Sequence, residues 1–221
     1  MTGKPSGAER CGAVAGEYDR IKEAQGWRGP ERVFGLMGAL VKPGESLLDV
    51  GIGTGLGSRL FHKAGLHVYG MDLSRDMLAV CRTKGIADDL KVHDLTVEPY
   101  PYAAASMHHA VCIGVLNHFE DLQPVFRQVS RILKDGGVFG FVVGDRRPEE
   151  AARIEVKHAG SRAALFRHCR SEILAFLGNS GFELLGEAAF AAPGHEGGGP
   201  SMRLKAVAAR RAKRLDQAGV R

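Results

Sequence analysis

The sequence predicts an α/β protein, a doubly wound and mostly parallel sheet of seven strands with an antiparallel strand at the C-terminal end. Three observations carry this. Apolar runs of strand length alternate with stretches of helical periodicity as far as residue 143. One of these runs, Leu47-Leu48-Asp49-Val50, breaks into glycines at every second position (Gly51, Gly53, Gly55, Gly57) just before a helical pattern, so it reads as strand, tight turn, helix. Five strand-helix steps are then followed by two strands, Phe182 to Leu185 and Met202 to Ala209, joined across Pro193 to Pro200.

Taken in order, Met1 to Gly16 is polar, rich in glycine and without periodicity, as expected of a mobile segment. Glu17-Tyr18-Asp19 follows, and Tyr18 is placed to anchor a helix. The only tryptophan, Trp27, lies between Gly26 and Gly29 and is expected on a loop, either packed against the core or touching a substrate. Pro30 opens a helix whose apolar face is Val33, Phe34, Leu36, Met37 and Leu40. After the glycine turn, Leu56, Leu60, Phe61 and Ala64 mark the inner side of the first crossover helix, ended by Gly65. The second strand ends at Asp72. Ser74 then caps a helix with Asp76 in its first turn, Arg82 and Lys84 in its last, and Met77, Leu78 and Cys81 inward.

Leu90 to Leu95 reads as a third strand containing another acid, Asp94. Ala110 to Leu116 is apolar without alternation, as expected of a central parallel strand covered on both sides. Asp121 is placed to cap a helix carrying Leu122, Val125, Phe126, Val129, Ile132 and Leu133, closed by Lys134-Asp135-Gly136-Gly137. Val138 to Val143 forms the fifth strand. The charged stretch Gly144 to Cys169 has no clear period. Ser171 begins a last helix, which Gly178 to Gly181 stops.

A chain of 221 residues, 44% hydrophobic, suits one domain with a substantial core. No apolar run approaches the ~20 residues of a membrane span, and Met1 to Gly12 lacks the apolar region of a secretory signal, so a cytoplasmic protein is expected. The four cysteines are scattered without a C-x-x-C pair, which argues against a zinc knuckle or a disulfide framework. The paired His108-His109 has no further ligands nearby in sequence, so no metal is expected. The net charge of +5 permits acidic partners. Much of it is crowded into Arg203, Lys205, Arg210, Arg211, Lys213, Arg214 and Arg221, which read as a solvated tail.

Glycines at every second position let the backbone turn with positive φ and approach a ligand that a Cβ would exclude. A dinucleotide fingerprint needs G-x-G-x-x-G. Here its third glycine falls on Leu56 or on Ser58, so that register fails. The stretch Asp49-Val50-Gly51-Ile52-Gly53-Thr54-Gly55 has instead the form D-x-G-x-G-x-G, and Val68-Tyr69-Gly70-Met71-Asp72 supplies an acid at the end of the next strand, about 20 residues on, where it can bind a ribose.

This pattern resembles motif I of the class I S-adenosylmethionine-dependent methyltransferases. Met71-Asp72-Leu73-Ser74, Gly85-Ile86 through Asp94-Leu95, Gly114-Val115-Leu116-Asn117-His118, Leu133 to Gly137 and Ser180 to Leu184 resemble its later motifs, most nearly in the quinone-biosynthesis and Williams-Beuren-region branch. Ile52, His108 and Asp135 depart from the usual residues. The resemblance implies the Rossmann-like methyltransferase fold over residues 1–221 as a single domain: cap helices in 1–43, a cofactor-binding core in 44–143, a substrate-recognition insert in 144–170, a helix and strand pair in 171–210 and a basic tail in 211–221. It implies S-adenosylmethionine as cofactor and S-adenosylhomocysteine as product. The cofactor would be held by Tyr18, Asp49, Gly51, Gly53, Thr54, Gly55, Asp72, Leu73, Met77, Asp94, Leu95, Ile113 and Gly114.

The expected reaction is in-line transfer of the methyl group to a small-molecule acceptor. A general base is needed only if the acceptor loses a proton. His118, just past the fourth strand, is the candidate for that role, or else a helix-entry histidine that shapes the cofactor pocket. Trp27, Asp145 and His158 are candidates for contact with the acceptor. A nucleic-acid or protein methyltransferase is an alternative, although Gly114 to His118 lacks the Asn/Asp-Pro-Pro-aromatic motif of many amino-directed enzymes. A cofactor-binding module without catalysis is another. The acceptor and the oligomeric state are left open by the sequence.

Overall fold

The computed structural model describes residues 15–158, 161–192 and 202–213. The segment up to residue 14 and the loop Pro193 to Pro200 lie outside them, as does the tail beyond residue 213. Helices α1 (Tyr18–Ala24) and α2 (Gly29–Met37) precede β1 (Ser46–Val50). Then follow α3 (Arg59–Lys63), β2 (His67–Asp72), α4 (Arg75–Thr83), β3 (Asp89–Val92), β4 (Met107–Cys112), α5 (Gln123–Ile132) and β5 (Leu133–Asp145). The chain continues through β6 (Arg153–His158), β7 (Ser161–His168), α6 (Arg170–Asn179), β8 (Phe182–Ala191) and β9 (Arg203–Arg211).

Strands β3, β2, β1, β4 and β5 lie side by side in that order and all parallel. The antiparallel β9 pairs with β5 and then with β8. Among the described residues the sheet has nine strands, not seven, because the charged insert is itself a hairpin: β6 pairs with β7, and β7 runs parallel to β5 at its carboxyl end, through Gly144–Arg167 and Asp145–His168. The doubly wound α/β architecture with an antiparallel C-terminal pair is as the alternating pattern predicts.

Side chains of successive strand residues go to opposite faces, and each face has its own core. Leu48, Ala110, Cys112, Phe139 and Phe141 pack with Phe126 and Val129 of α5 and with Ile173 and Leu177 of α6. Leu47, Val111, Val138 and Val142 pack with Val33 and Met37 of α2, Phe61 of α3 and Leu78 of α4. This two-sided burial is why the central strands lack a polar alternation. Phe126 sits edge-on to both Phe139 and Phe141, with ring centroids 5.4 and 5.0 Å apart.

Several boundaries differ from the sequence reading. The third strand stops at Val92 and the fourth at Cys112, so Asp94 and Ile113 to Leu116 belong to the connections at the carboxyl edge. Asp121 accepts the Gln123 amide at 2.9 Å in a local turn, and α5 starts two residues beyond it. Ser74 does cap α4, accepting the Met77 amide at 3.3 Å. The basic residues of 203–211 are strand residues: Lys205 is 8% exposed and Arg211 4%. Lys205 Nζ lies 3.4 Å from Asp145, and Arg211 donates to the Leu133 carbonyl. A strand held between β5 and β8 buries the aliphatic stems of long side chains, and their charged heads then need partners.

Helix α2 approaches β5 closely because residue 140 is glycine: a Cβ there would lie 2.2 Å from Met37 Sδ and 2.6 Å from Val33 Cγ1. Met37 can move, but the β-branched Val33 is stiff. Gly140→Ala is expected to destabilise the protein by about 1–3 kcal/mol through overpacking, read as a lower urea midpoint at unchanged slope.

Candidate active site

The carboxyl ends of β1, β2 and β4 come together around the glycine turn. Asp49, one residue before the end of β1, is 1% exposed, and its Oδ2 accepts the Ser58 hydroxyl. Burial pushes its carboxyl up to about 7; the Ser58 bond works against that shift and the nearby charge of Asp72 adds to it. Gly51 has φ of 80°, and a Cβ there would lie 2.5 Å from Val115 Cγ2. That position needs glycine both for its conformation and for the close approach of the segment after β4. At Gly53, also of positive φ, a Cβ would meet nothing within 4 Å, so the backbone faces open space.

Asp72, at the end of β2, faces the same turn. Its Oδ2 accepts the Gly53 amide at 2.9 Å and its Oδ1 accepts the Ser74 amide at 2.8 Å. Burial raises its pKa, opposed by these backbone bonds. Thr54, buried in the turn, donates to Asp19 Oδ1 at 2.5 Å. Lys84, just past α4, donates to Asp19 Oδ2 at 2.5 Å and to the Thr54 carbonyl at 2.7 Å. Asp19 thereby fastens α1 to the turn.

The remaining predicted positions fall unevenly around this centre. Tyr18 is half-buried at the start of α1, with Lys22 5.4 Å above its ring. Leu73 is exposed at the rim and Met77 is buried under α4. Asp94 Oδ1 accepts the amide and the hydroxyl of Thr96 at 2.9 and 2.8 Å, which hold its carboxyl below the usual range. Leu95 is buried in the core. Ile113 and Gly114 are half-buried in the segment after β4, and a Cβ on Gly114 would lie 3.8 Å from the Trp27 ring. Trp27 also meets Phe190, with centroids 6.1 Å apart, so a residue of the N-terminal part stands against the loop beyond β4. His118 is exposed, and its amide donates to the Val115 carbonyl at 3.0 Å.

Two acceptor candidates are placed differently from the sequence picture. Asp145 lies 3.4 Å from Lys205 Nζ and 3.8 Å from Arg203 Nε, inside an ion cluster. His158 pairs with Ser161 at the far end of the hairpin, seven positions along β7 from His168, and its side chain is outside the described residues. His108 is bonded to Ser46 and Lys134, and His109 to Glu45; among the described residues no group of three or more side chains is arranged to hold a metal. No helix among them is long and apolar enough to cross a membrane.

Sequence reasoning named Thr54 but missed its partners Asp19 and Lys84, and it missed Ser58 as a part of the site. Asp19 was visible only as the neighbour of Tyr18. Lys84 read as a cation suited to a helix end, and nothing local marks Ser58 as a partner for a residue nine positions earlier.

Residues 48–141 match the family described as a methyltransferase domain. The chain is 35% identical over 134 residues to a malonyl-[acyl-carrier protein] O-methyltransferase of Pectobacterium atrosepticum, covering 61% of this chain and 51% of that one. It is 31% identical over 109 residues to a ubiquinone biosynthesis O-methyltransferase of Sodalis glossinidius, covering 48% and 44%. It therefore spans about half the length of these curated relatives. Among solved structures, a SAM-dependent methyltransferase of Methanosarcina mazei shares the fold, with a TM-score of 0.68 at 16% identity, over 80% of this chain and 97% of that one.

Two outcomes are expected from the geometry. An unfolded aspartate ionises near pH 4 and Asp49 in the folded chain near 7. Below about pH 4 neither state pays for the charge. As pH rises to about 7 the unfolded state is increasingly favoured, and above that the loss is complete. Asp49→Asn should thus raise the thermal stability of the ligand-free protein at pH 8 and not at pH 4, by an amount on the order of 4 kcal/mol at most. Separately, Lys84→Ala should speed amide exchange in α1 while leaving β1 and β4 protected, read by hydrogen-exchange mass spectrometry.

Proposed function

We propose, on the premise that the chain belongs to the class I S-adenosylmethionine-dependent methyltransferase superfamily, that it binds S-adenosylmethionine at the glycine turn and methylates an oxygen of a small-molecule acceptor. The observation that carries this is the pair of acids set around that turn, Asp49 buried beneath it and Asp72 facing it from the end of β2. The donor set fits the cofactor: a carboxylate that can accept from ribose hydroxyls, a backbone left open at Gly53, and a buried acid whose ionised form a nearby cation would stabilise. Bound there, S-adenosylmethionine supplies a methyl group activated by a sulfonium. Asp72 would hold the ribose, the Gly51 to Gly55 backbone would lie against the cofactor, and Tyr18 with α1 would cover it.

The chain's remaining task is orientation. A pocket that fixes the acceptor oxygen in line with the methyl group removes most of the entropic cost of the encounter. Trp27 against Gly114, and the segment from Ile113 to His118, form the border where an acceptor would meet the cofactor. His118 is the candidate to take a proton if the acceptor is a hydroxyl group. The choice of oxygen follows the two O-methyltransferase relatives and is part of the proposal.

Calorimetry with S-adenosylhomocysteine tests the cofactor assignment. Asp72→Ala should weaken binding at least tenfold, because a hydrogen bond to a charged acceptor contributes about 1.5–3 kcal/mol. Asp72→Asn retains one acceptor oxygen, but its amide nitrogen must face the N–H of Gly53 or Ser74, so it should bind at an intermediate level with a lowered melting temperature. Parent-like binding by both variants would remove the ribose assignment. Tight binding of NAD with none of S-adenosylhomocysteine would remove the methyltransferase reading itself.

A further inference from the structure

We propose, resting on the methyltransferase reading, that Asp49 lets the glycine turn tell the cofactor from its product by charge: at mildly acidic pH its carboxyl keeps a proton in the ligand-free chain and beside S-adenosylhomocysteine, and releases that proton when the sulfonium of S-adenosylmethionine binds. Ser58 is the positioning residue that keeps this carboxyl ionisable.

Asp49 lies in the central strand β1 and is 1% exposed. Among the described residues its one hydrogen-bond donor is the hydroxyl of Ser58, itself fully buried, and no cation among them pairs with it. The titratable groups that face it are the Asp72 carboxyl from β2, the Cys81 thiol from α4 and the Cys112 thiol from β4. Burial first, and the Asp49 charge second, push Cys81 up to about 11 and Cys112 well above its ordinary value, so both are neutral thiols. A carboxylate with one hydroxyl donor, no cation and a second acid nearby is costly away from water. The protonated form therefore persists toward neutral pH.

The cations near the turn are committed elsewhere. Lys84 donates to Asp19 and to the Thr54 carbonyl, Arg59 pairs with Glu23 at 3.2 Å, and Arg75 and Arg82 are exposed. Asp19, Asp49 and Asp72 thus stand around the turn against the one ammonium of Lys84. At Gly53 the backbone faces open space, where a ligand can settle. A positive charge brought to that face acts on Asp49 without touching it, because an interior of effective dielectric about 20 transmits charge over several ångströms. It favours the ionised carboxyl. The cofactor and its product share their ribose, base, carboxylate and amino groups, and only the sulfonium adds net positive charge. The Ser58 hydroxyl works in the same direction, since its bond to Asp49 favours the ionised form.

Both ligands are titrated by calorimetry into the full chain from about pH 5.5 to about pH 7, below the range in which their α-amino groups lose protons. Two buffers of different ionisation enthalpy give the number of protons exchanged. S-adenosylmethionine should release up to about half a proton near pH 7 and gain several-fold in affinity across this range. S-adenosylhomocysteine should release markedly less, with an affinity that changes little. Asp49→Asn, which keeps the shape of the carboxyl, should abolish both the release and the pH dependence. In Ser58→Ala the release should move to higher pH. Equal proton release by the two ligands, or a release that persists in Asp49→Asn, overturns the proposal and leaves the cofactor assignment standing. Binding of neither ligand by the parent overturns the methyltransferase reading, and this proposal with it.

Discussion

A carboxyl group buried at the end of the central strand sets the shape of everything around it. Asp49 lies between β2 and β4, both parallel to β1, and it is shut off from water. A buried acid needs a donor. The donor is the Ser58 hydroxyl, nine residues on, so the chain has to curl back on itself within that distance. The curl runs through three glycines of positive φ, and it is tight at Gly57, where a Cβ would come 3.2 Å from Asp49 Oδ2. The spacing of the glycines is thus tied to the acid that precedes them as well as to any ligand that follows.

Elements far apart in the chain fasten onto this turn. Asp72 holds Gly53 from β2, Asp19 holds Thr54 from α1, and Lys84 bridges the two from the end of α4. A helix of seven residues such as α1 has little stability of its own in water. Its order therefore depends on docking to the turn, and the Asp19 carboxylate is the main polar link. A ligand resting on the turn would lie beside the segment docked there, so the proposed cofactor site and the N-terminal helix share the same support.

The two cores give the sheet a rigid body, and the variable chemistry sits beyond its carboxyl edge. Strand β9 covers one edge of β5 up to Gly144, and the β6–β7 hairpin pairs with Gly144 and Asp145 on the opposite edge, past the point where β4 ends. The insert thus adds a wall beside the connection after β4 without disturbing the parallel strands. A fold of this kind carries many reactions, and specificity resides in such additions. His168 and Arg167 belong to that wall, and Asp145, bound by Lys205 and Arg203, steadies its base.

The sequence by itself determined the order of strands and helices, because burial on both faces writes long apolar runs into β1, β4 and β5 and helical spacing into α2, α4 and α5. It also determined the turn, since positive φ at Gly51, Gly53 and Gly55 and an acid at the end of each of two strands are local features. Only the tertiary structure decided which residues meet there. Asp19 with Lys84, Trp27 with Gly114 and His168 with Glu120 are contacts across long stretches of chain, Ser58 meets Asp49 across nine residues of turn, and no period or spacing encodes any of them. The basic run near the C-terminus shows the same limit. Its charges suggested solvent, yet Lys205 and Arg211 are buried, because a strand held between two others takes its environment from its neighbours.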